Sequence, residues 1–327
     1  MDPTKRVPVG QTKLTVTRLG LGTAAIGNLY KAVPEEQAEK TIQKALELGV
    51  RHIDTAPEYG TSLAESRIGK AIKGFPKNRL TISTKVGRLL RKIDRDNEMW
   101  PGAPRLESFF DFSREGVLES YKTSLERLGL IRADILFIHD PDDHLKEASE
   151  QSYPVLDELR SQGEVTAIGA GMNDADKELW LAKRCKIDCF LLAGRYTLLE
   201  QRANDEFLPY CQKEGISVIV GGPFNSGILA SNLDSTAMYN YETAPREILE
   251  KARKIKAVCG KHGVSIKAAA LQFVLAHPAV ISTIPGSRSP EEVEENLEMV
   301  KEEIPGKLWE ELRSEKLISP SSPVPDS

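Results

Sequence analysis

The stretch VRHIDTAPEYG, residues 50–60, decides the fold. An apolar run ends at Ile53 and an acid, Asp54, follows at once. Tyr59 stands a few residues on, in a turn marked by Pro57 and Gly60. Three later places repeat the pattern. Lys85 ends TISTK, His139 ends DILFIH, and Asn173 follows VTAIGAGM. In each, a short run rich in β-branched residues stops and a polar, chemically capable side chain comes next. Parallel strands whose C-terminal ends meet at one mouth account for all four.

Working outward, the same unit recurs along the chain. Residues 7–22 alternate around Gly10-Gln11 and predict a hairpin leading into a first strand at 18–21. Pro34-Glu35-Glu36 opens a helix that runs to about Leu48, with proline in its first turn and acids at its positive end. A strand at 51–54 precedes a helix at 62–72, where Ser62 and Glu65 have the spacing of a capping box. After a strand at 80–85, the stripe Val117, Leu118, Tyr121, Leu125 and Leu128 predicts a helix over 113–128, ended by Gly129. Strands at 134–138, 164–169, 187–192, 216–220 and 279–284 alternate with helices at 148–162, 174–184, 202–213, 244–261 and 265–276. Helices at 290–300 and 305–315 close the series. Alternating β and α elements imply a parallel sheet. Eight units over roughly 300 residues fit a closed (β/α)8 TIM barrel, with a doubly wound sheet as the alternative. The expectation is one domain over 1–318, with an N-terminal hairpin and extra C-terminal helices. The Pro/Ser-rich end SPSSPVPDS, 319–327, reads as a mobile tail.

Two stretches interrupt the alternation. From Val86 to Phe112 the pattern breaks: the segment GRLLRKIDRDNEMWPGAPRLESFFDF shows no sustained period but carries four aromatics, and 86–112 reads as a loop lying over the site. Trp100 and the aromatics of 109–112 are its candidate substrate walls. Residues 235–241 read as a second loop.

Composition bounds the function. The 327 residues are 40% hydrophobic and 28% charged, with a net charge of −4 and a pI near 5.9. There is no basic stripe of the kind that marks a nucleic-acid partner. No apolar run approaches the roughly 18 residues of a membrane span. The start, MDPTKRVPVG, has no secretory h-region, and four cysteines suit a reducing compartment, so a cytoplasmic location is expected. Cys185 and Cys189 form a C-x3-C pair with no second pair or nearby histidine to complete four ligands, so no metal is expected.

The segment GLGTAA, 20–25, imitates a dinucleotide fingerprint. The next helix begins only near Pro34, too late for these glycines to form its N-terminus, and Asp54 lies too far on. Tight packing and close approach to a ligand explain the glycines better.

The chemistry that fits Asp54, Tyr59, Lys85 and His139 is proton transfer at an alcohol or carbonyl oxygen. A phenol with a pKa of about 10 is a poor base at neutral pH, and a nearby ammonium stabilises its phenolate. Asp54 would hold Lys85, Lys85 would tune Tyr59, and Tyr59 would exchange the proton. His139 would orient the substrate oxygen. None of the four carries a hydride, so redox chemistry needs a nicotinamide.

At this point the chain resembles the aldo-keto reductase family. The residues that carry the likeness are RLGLGT (18–23), HIDTAPEYG (52–60), STK (83–85), the strand ending in His139, and IPGSRSPEEVEEN (284–296). The resemblance implies the barrel, the tetrad Asp54, Tyr59, Lys85 and His139, and NAD or NADP as cofactor. It implies cofactor contacts from Gly22, Thr23, Asp54, Asn173 and Arg195. It also implies them from Gly221, Gly222, Pro223, Phe224, Asn225 and Ser226, and from Gly286, Ser287, Arg288, Glu292, Glu295 and Asn296. Tyr59, Trp100, Phe110, His139 and Asp140 would meet the substrate. The chain departs from the common reductase pattern at Met172-Asn173, at Arg195 and at Gly221. These variants, with HDPDDH (139–144), resemble the branch that oxidises D-threo-aldoses, L-fucose, L-galactose or pyridoxal. For the aldoses the implied reaction takes the C1 hemiacetal to a lactone, with Tyr59 as base. A pyridoxal 4-dehydrogenase, an NADPH-dependent carbonyl reductase and a non-catalytic nicotinamide-binding subunit are the alternatives. The positions that grip the 2′-phosphate in NADP-specific relatives fall on Gly286 and Glu292. A carboxylate repels a phosphate, so NAD is the expected form.

Overall fold

The computed structural model describes residues 1–240 and 242–325. Eight parallel strands form one sheet: Leu21–Gly22, His52–Asp54, Thr81–Val86, Ile135–His139, Ala167–Met172, Cys189–Ala193, Ser217–Gly221 and Val280–Ile284. They lie side by side in chain order. Parallel bridges Leu19↔Thr283 and Gly22↔Gly286 join the first strand to the last, so the sheet closes into a (β/α)8 barrel. The register pairs Gly22 with Asp54, Asp54 with Ser83, and His139 with Gly171. The strand ends carrying Asp54, Lys85 and His139 therefore reach the same rim.

The inward side chains Ile135, Phe137, Cys189, Leu191 and Ile219 pack against each other inside the barrel. The N-terminal hairpin, strands Arg6–Pro8 and Thr15–Thr17, adds Val9 and Val16 to that cluster and stoppers the end away from the site. A larger apolar layer lies between strands and helices. Local chemistry fixes the helix ends. The Ser113 hydroxyl accepts from Gly116 N–H at the start of Arg114–Leu128, and Gly129, left-handed at φ 62°, ends it.

Several expectations are corrected. Residues 86–112 are not a structureless loop, and Val86 still belongs to the strand Thr81–Val86. Arg88–Lys92 and Leu106–Phe110 pair as an antiparallel hairpin, Arg88 opposite Phe110. Its alternation is faint because the strands stand over the rim with both faces partly wet. Gly87 makes the turn into it with φ +96°, and a Cβ there would lie 2.6 Å from the Phe112 ring. Ser62 does not cap Leu63–Ala71: it is left-handed at φ 91° and makes no side-chain cap bond. Glu65 instead accepts from Thr84 Oγ1 and Arg127 Nε, in the barrel wall. The loop expected at 235–241 contains the short strand Met238–Tyr239, paired with Glu242–Thr243; Tyr241 lies outside the described residues. Of the Pro/Ser-rich end, Ser322 is buried and its carbonyl accepts from Arg313. Residues 326–327 of that tail lie outside the described residues. Among the described residues no helix is long and apolar enough to cross a membrane.

Candidate active site

Alternation along the strands builds the site. Side chains two residues apart share a face, so His52 with Asp54, and Ser83 with Lys85, point together into the barrel. All four are buried. Lys85 Nζ donates to Asp54 Oδ2 at 2.7 Å, to the Thr55 carbonyl at 2.9 Å and to Tyr59 Oη at 3.1 Å. An ammonium has three N–H donors, and these three partners use them all. The same ammonium lies 4.4 Å from the Tyr59 ring centroid. Behind Asp54, the Ser83 hydroxyl donates to Oδ1 at 2.8 Å and stands 3.1 Å from His52 Nε2. With the Ser83 proton committed to Asp54, His52 donates through Nε2–H. The sequence-predicted tetrad is assembled: the His139 ring meets the Tyr59 ring edge-on at 5.9 Å.

Burial dominates the electrostatics. It raises the Asp54 carboxyl, opposed by the Lys85 ammonium and the Ser83 hydroxyl. It pushes His139 down to about 3, with Arg88 and Lys85 acting in the same direction and Asp140 against them. His52 is also pushed down to about 3. Both imidazoles are neutral at physiological pH, so His139 is a hydrogen-bonding group there and not a cation.

A cavity adjoins Tyr59 and Asp54 at the strand ends. It is lined by Gly22, Thr23, Asn173, Arg195, the run from Gly221 to Ser226, Gly286 and Arg288, all residues that the resemblance assigns to the cofactor. Tyr30, Gly194 and Asn240 also line it and were not foreseen. Gly22 is obligatory, since a Cβ there would stand 2.6 Å from the Ile284 carbonyl oxygen. Arg195 is held by the Asn173 carbonyl, Glu200 and Asn240. Four predicted cofactor residues stand back from the cavity wall. Ser287 and Asn296 are buried and bonded to each other at 3.2 Å. Glu295 is paired with Lys267. Glu292 reaches back to accept from the Arg288 backbone N–H at 2.7 Å, while its own N–H donates to the Ser289 hydroxyl.

The hairpin supplies Arg88, which the sequence did not single out, beside the aromatics that it did. Arg88 donates to Asp140 Oδ2 at 2.8 Å and lies over the Phe110 ring at 4.4 Å. Trp100 is buried at the hairpin tip, 6.2 Å from the Tyr59 ring, and donates to Glu58. Phe110 is 41% exposed at the outer rim, farther out than Trp100, stacked on Phe112 and tilted against the His144 ring. No local signal marks Arg88. Only its place three residues beyond Lys85, where the chain leaves the third strand, would have drawn attention to it.

Comparison with known proteins agrees with this geometry. The aldo/keto reductase family model matches residues 18–315. The chain is 38% identical to a D-threo-aldose 1-dehydrogenase of Pseudomonas sp, over 93% of this chain and 95% of the relative. It is 36% identical to a pyridoxal 4-dehydrogenase of Microbacterium luteolum, over 95% and 97%. Among solved structures, an aldo-keto reductase of Bacillus halodurans in its holo form superposes with a TM-score of 0.77 at 25% identity, covering 99% of this chain and 98% of that one. A closed barrel with Asp54, Tyr59, Lys85 and His139 gathered at its rim, and a family match across nearly its whole length, make this chain an oxidoreductase of the aldo/keto reductase family.

Proposed function

We propose that the protein oxidises the C1 hemiacetal of an aldose of the L-fucose, D-threo-aldose or L-galactose type to a lactone, with NAD in preference to NADP. The observation that carries this reading is the Lys85 ammonium shared between Asp54, Thr55 and Tyr59. A cation 3.1 Å from a phenolic oxygen favours its ionised form, which lets Tyr59 take the proton of the C1 hydroxyl. Neutral His139 orients the same oxygen.

The cavity residues fit a nicotinamide dinucleotide. Asn225 Oδ1 is buried without a partner in the cavity wall. Gly222, Asn225, Ser226 and Gly227 all have left-handed φ, so the backbone turns tightly along this part of the cavity wall. When bound, the dinucleotide supplies the acceptor for the C1 hydride. Of the cavity residues, Thr23, Asn173 and Arg195 would hold its nicotinamide end and Arg288 its adenosine end. The preference for NAD follows from Glu292. Its carboxylate already takes the Arg288 N–H at the start of helix Pro290–Lys301, where a 2′-phosphate would otherwise find the positive end of a helix.

Initial rates test the reading. L-fucose with NAD+ should give the highest kcat/KM, at least tenfold above NADPH with a simple aldehyde. The reverse order would make the protein a carbonyl reductase. Pyridoxal with NAD+ is the third arm, because of the Microbacterium relative, and turnover on it alone would replace the aldose. Cofactor binding without turnover on any of these would make the chain a nicotinamide-binding regulatory subunit.

A further inference from the structure

Beside the tetrad lies a second polar set that proton transfer does not require. Asp140 follows His139 directly and holds the left-handed conformation, φ 45°, which is costly for a residue other than glycine. That turn sets its carboxylate between two donors from separate parts of the chain. Arg88 of the hairpin donates to Oδ2 at 2.8 Å, and Asn173 Nδ2 donates to Oδ1 at 3.0 Å. Oδ2 also stands 3.5 Å from His139 Nε2. Burial pulls the Asp140 carboxyl up, but the surrounding positive charge and the hydrogen bond from Arg88 outweigh it and hold it below the usual carboxylate range, so it is ionised at neutral pH. The pair keeps some access, with 29% of the Asp140 side chain and 20% of the Arg88 side chain exposed. A strained, ionised carboxylate next to the histidine that meets the reacting oxygen is an expensive arrangement for a purely structural turn.

A carboxylate has about four lone-pair directions, and Arg88 and Asn173 take one on each oxygen. It accepts and never donates. What it recognises beside the reacting oxygen is therefore a hydroxyl. We propose that Asp140, set by Arg88 and Asn173, determines specificity by accepting a hydrogen bond from a hydroxyl on the carbon next to the reacting one. The site would thereby select 2-hydroxy aldehydes and their ring hemiacetals over carbonyl compounds that lack that group. The inference rests on the preceding reading in placing the reacting carbon against Tyr59.

The experiment compares L-fucose with 2-deoxy-L-fucose, both with NAD+, in the wild type and in Asp140→Asn. Asparagine keeps the shape and tolerates the left-handed backbone. The wild type should favour L-fucose, and Asp140→Asn should cut the ratio of the two kcat/KM values by on the order of ten- to a hundredfold, the range for a hydrogen bond to a charged group. Arg88→Gln, which leaves the carboxylate but loosens its setting, should move the ratio in the same direction. An equal loss on both sugars in Asp140→Asn, or an unchanged ratio, overturns the proposal while leaving aldose oxidation standing. A reductive arm, D-glyceraldehyde against propanal with NADH, reads the same subsite without any aldose. If aldoses are not turned over, yet the variant erases a wild-type preference for glyceraldehyde, the aldose reading fails and this inference stands. A wild type with no preference for the hydroxylated partner in either arm also overturns it.

Discussion

Lys85 is the residue on which the site depends. It is buried, and its charge is compensated by Asp54 at 2.7 Å. Lys85→Met would strand Asp54 as an unpaired buried carboxylate, at a cost of about 3–5 kcal/mol. Turnover should fall by roughly 10²–10⁴, as when a group that sets proton transfer is removed. Denaturant unfolding and kcat check the two effects separately. Adding Asp54→Asn should restore much of the stability and none of the activity. If the double variant regains turnover, Lys85 does not tune Tyr59. At this scale the strand-end residues were readable, because each follows a β-branched run. Ser83 and His52 were readable in principle from the two-residue period that puts them on the faces of Lys85 and Asp54. Arg88 was not, since its partner Asp140 is 52 positions away and no local pattern links them.

The elements that read well from sequence are those with chemical ends. The helix at Arg114–Leu128 has a serine start and a glycine stop. The helix at Pro290–Lys301 has a serine start, a proline in its first turn and Glu292 bonded back to residue 288. That last contact carries a prediction. Glu292→Arg removes the carboxylate from the Arg288 N–H and adds a cation, so the NADP+/NAD+ ratio of kcat/KM should rise on the order of tenfold, about 1.4 kcal/mol. An unchanged ratio would mean that the adenosine end lies elsewhere. The hairpin at Arg88–Lys92 and Leu106–Phe110 escaped the sequence because a 13-residue tip separates its strands and neither face is fully buried. Ser62 misled for the opposite reason: the cap spacing is present, but the residue is left-handed and makes no side-chain cap bond, and Glu65 serves Arg127.

For the molecule as a whole, the barrel class was legible because the alternation of strands and helices leaves few topologies, and closure shows only in space, through Leu19 with Thr283 and Gly22 with Gly286. The whole fold also carries a pH dependence. His52 and His139 are held near 3, against 6.5 when exposed, so the unfolded chain binds protons that the folded one refuses. Their contribution to stability is therefore fully present above pH 6.5 and is lost as the pH falls from 6.5 towards 3. Each histidine adds a slope of up to about 1.4 kcal/mol per pH unit in that window. Urea unfolding between pH 7.5 and 5 should show the decline, and His52→Asn should flatten it; an equally steep slope in that variant would assign the effect elsewhere. In the proposed reaction Tyr59, tuned by Lys85, moves the proton of a hydride transfer. Its most direct test is Tyr59→Phe, measured for turnover of L-fucose with NAD+ and, separately, for NAD+ binding by fluorescence titration. Turnover should fall by at least about 10³-fold, with the dissociation constant for NAD+ within a few-fold of the wild type. Retained turnover in the phenylalanine variant would contradict it.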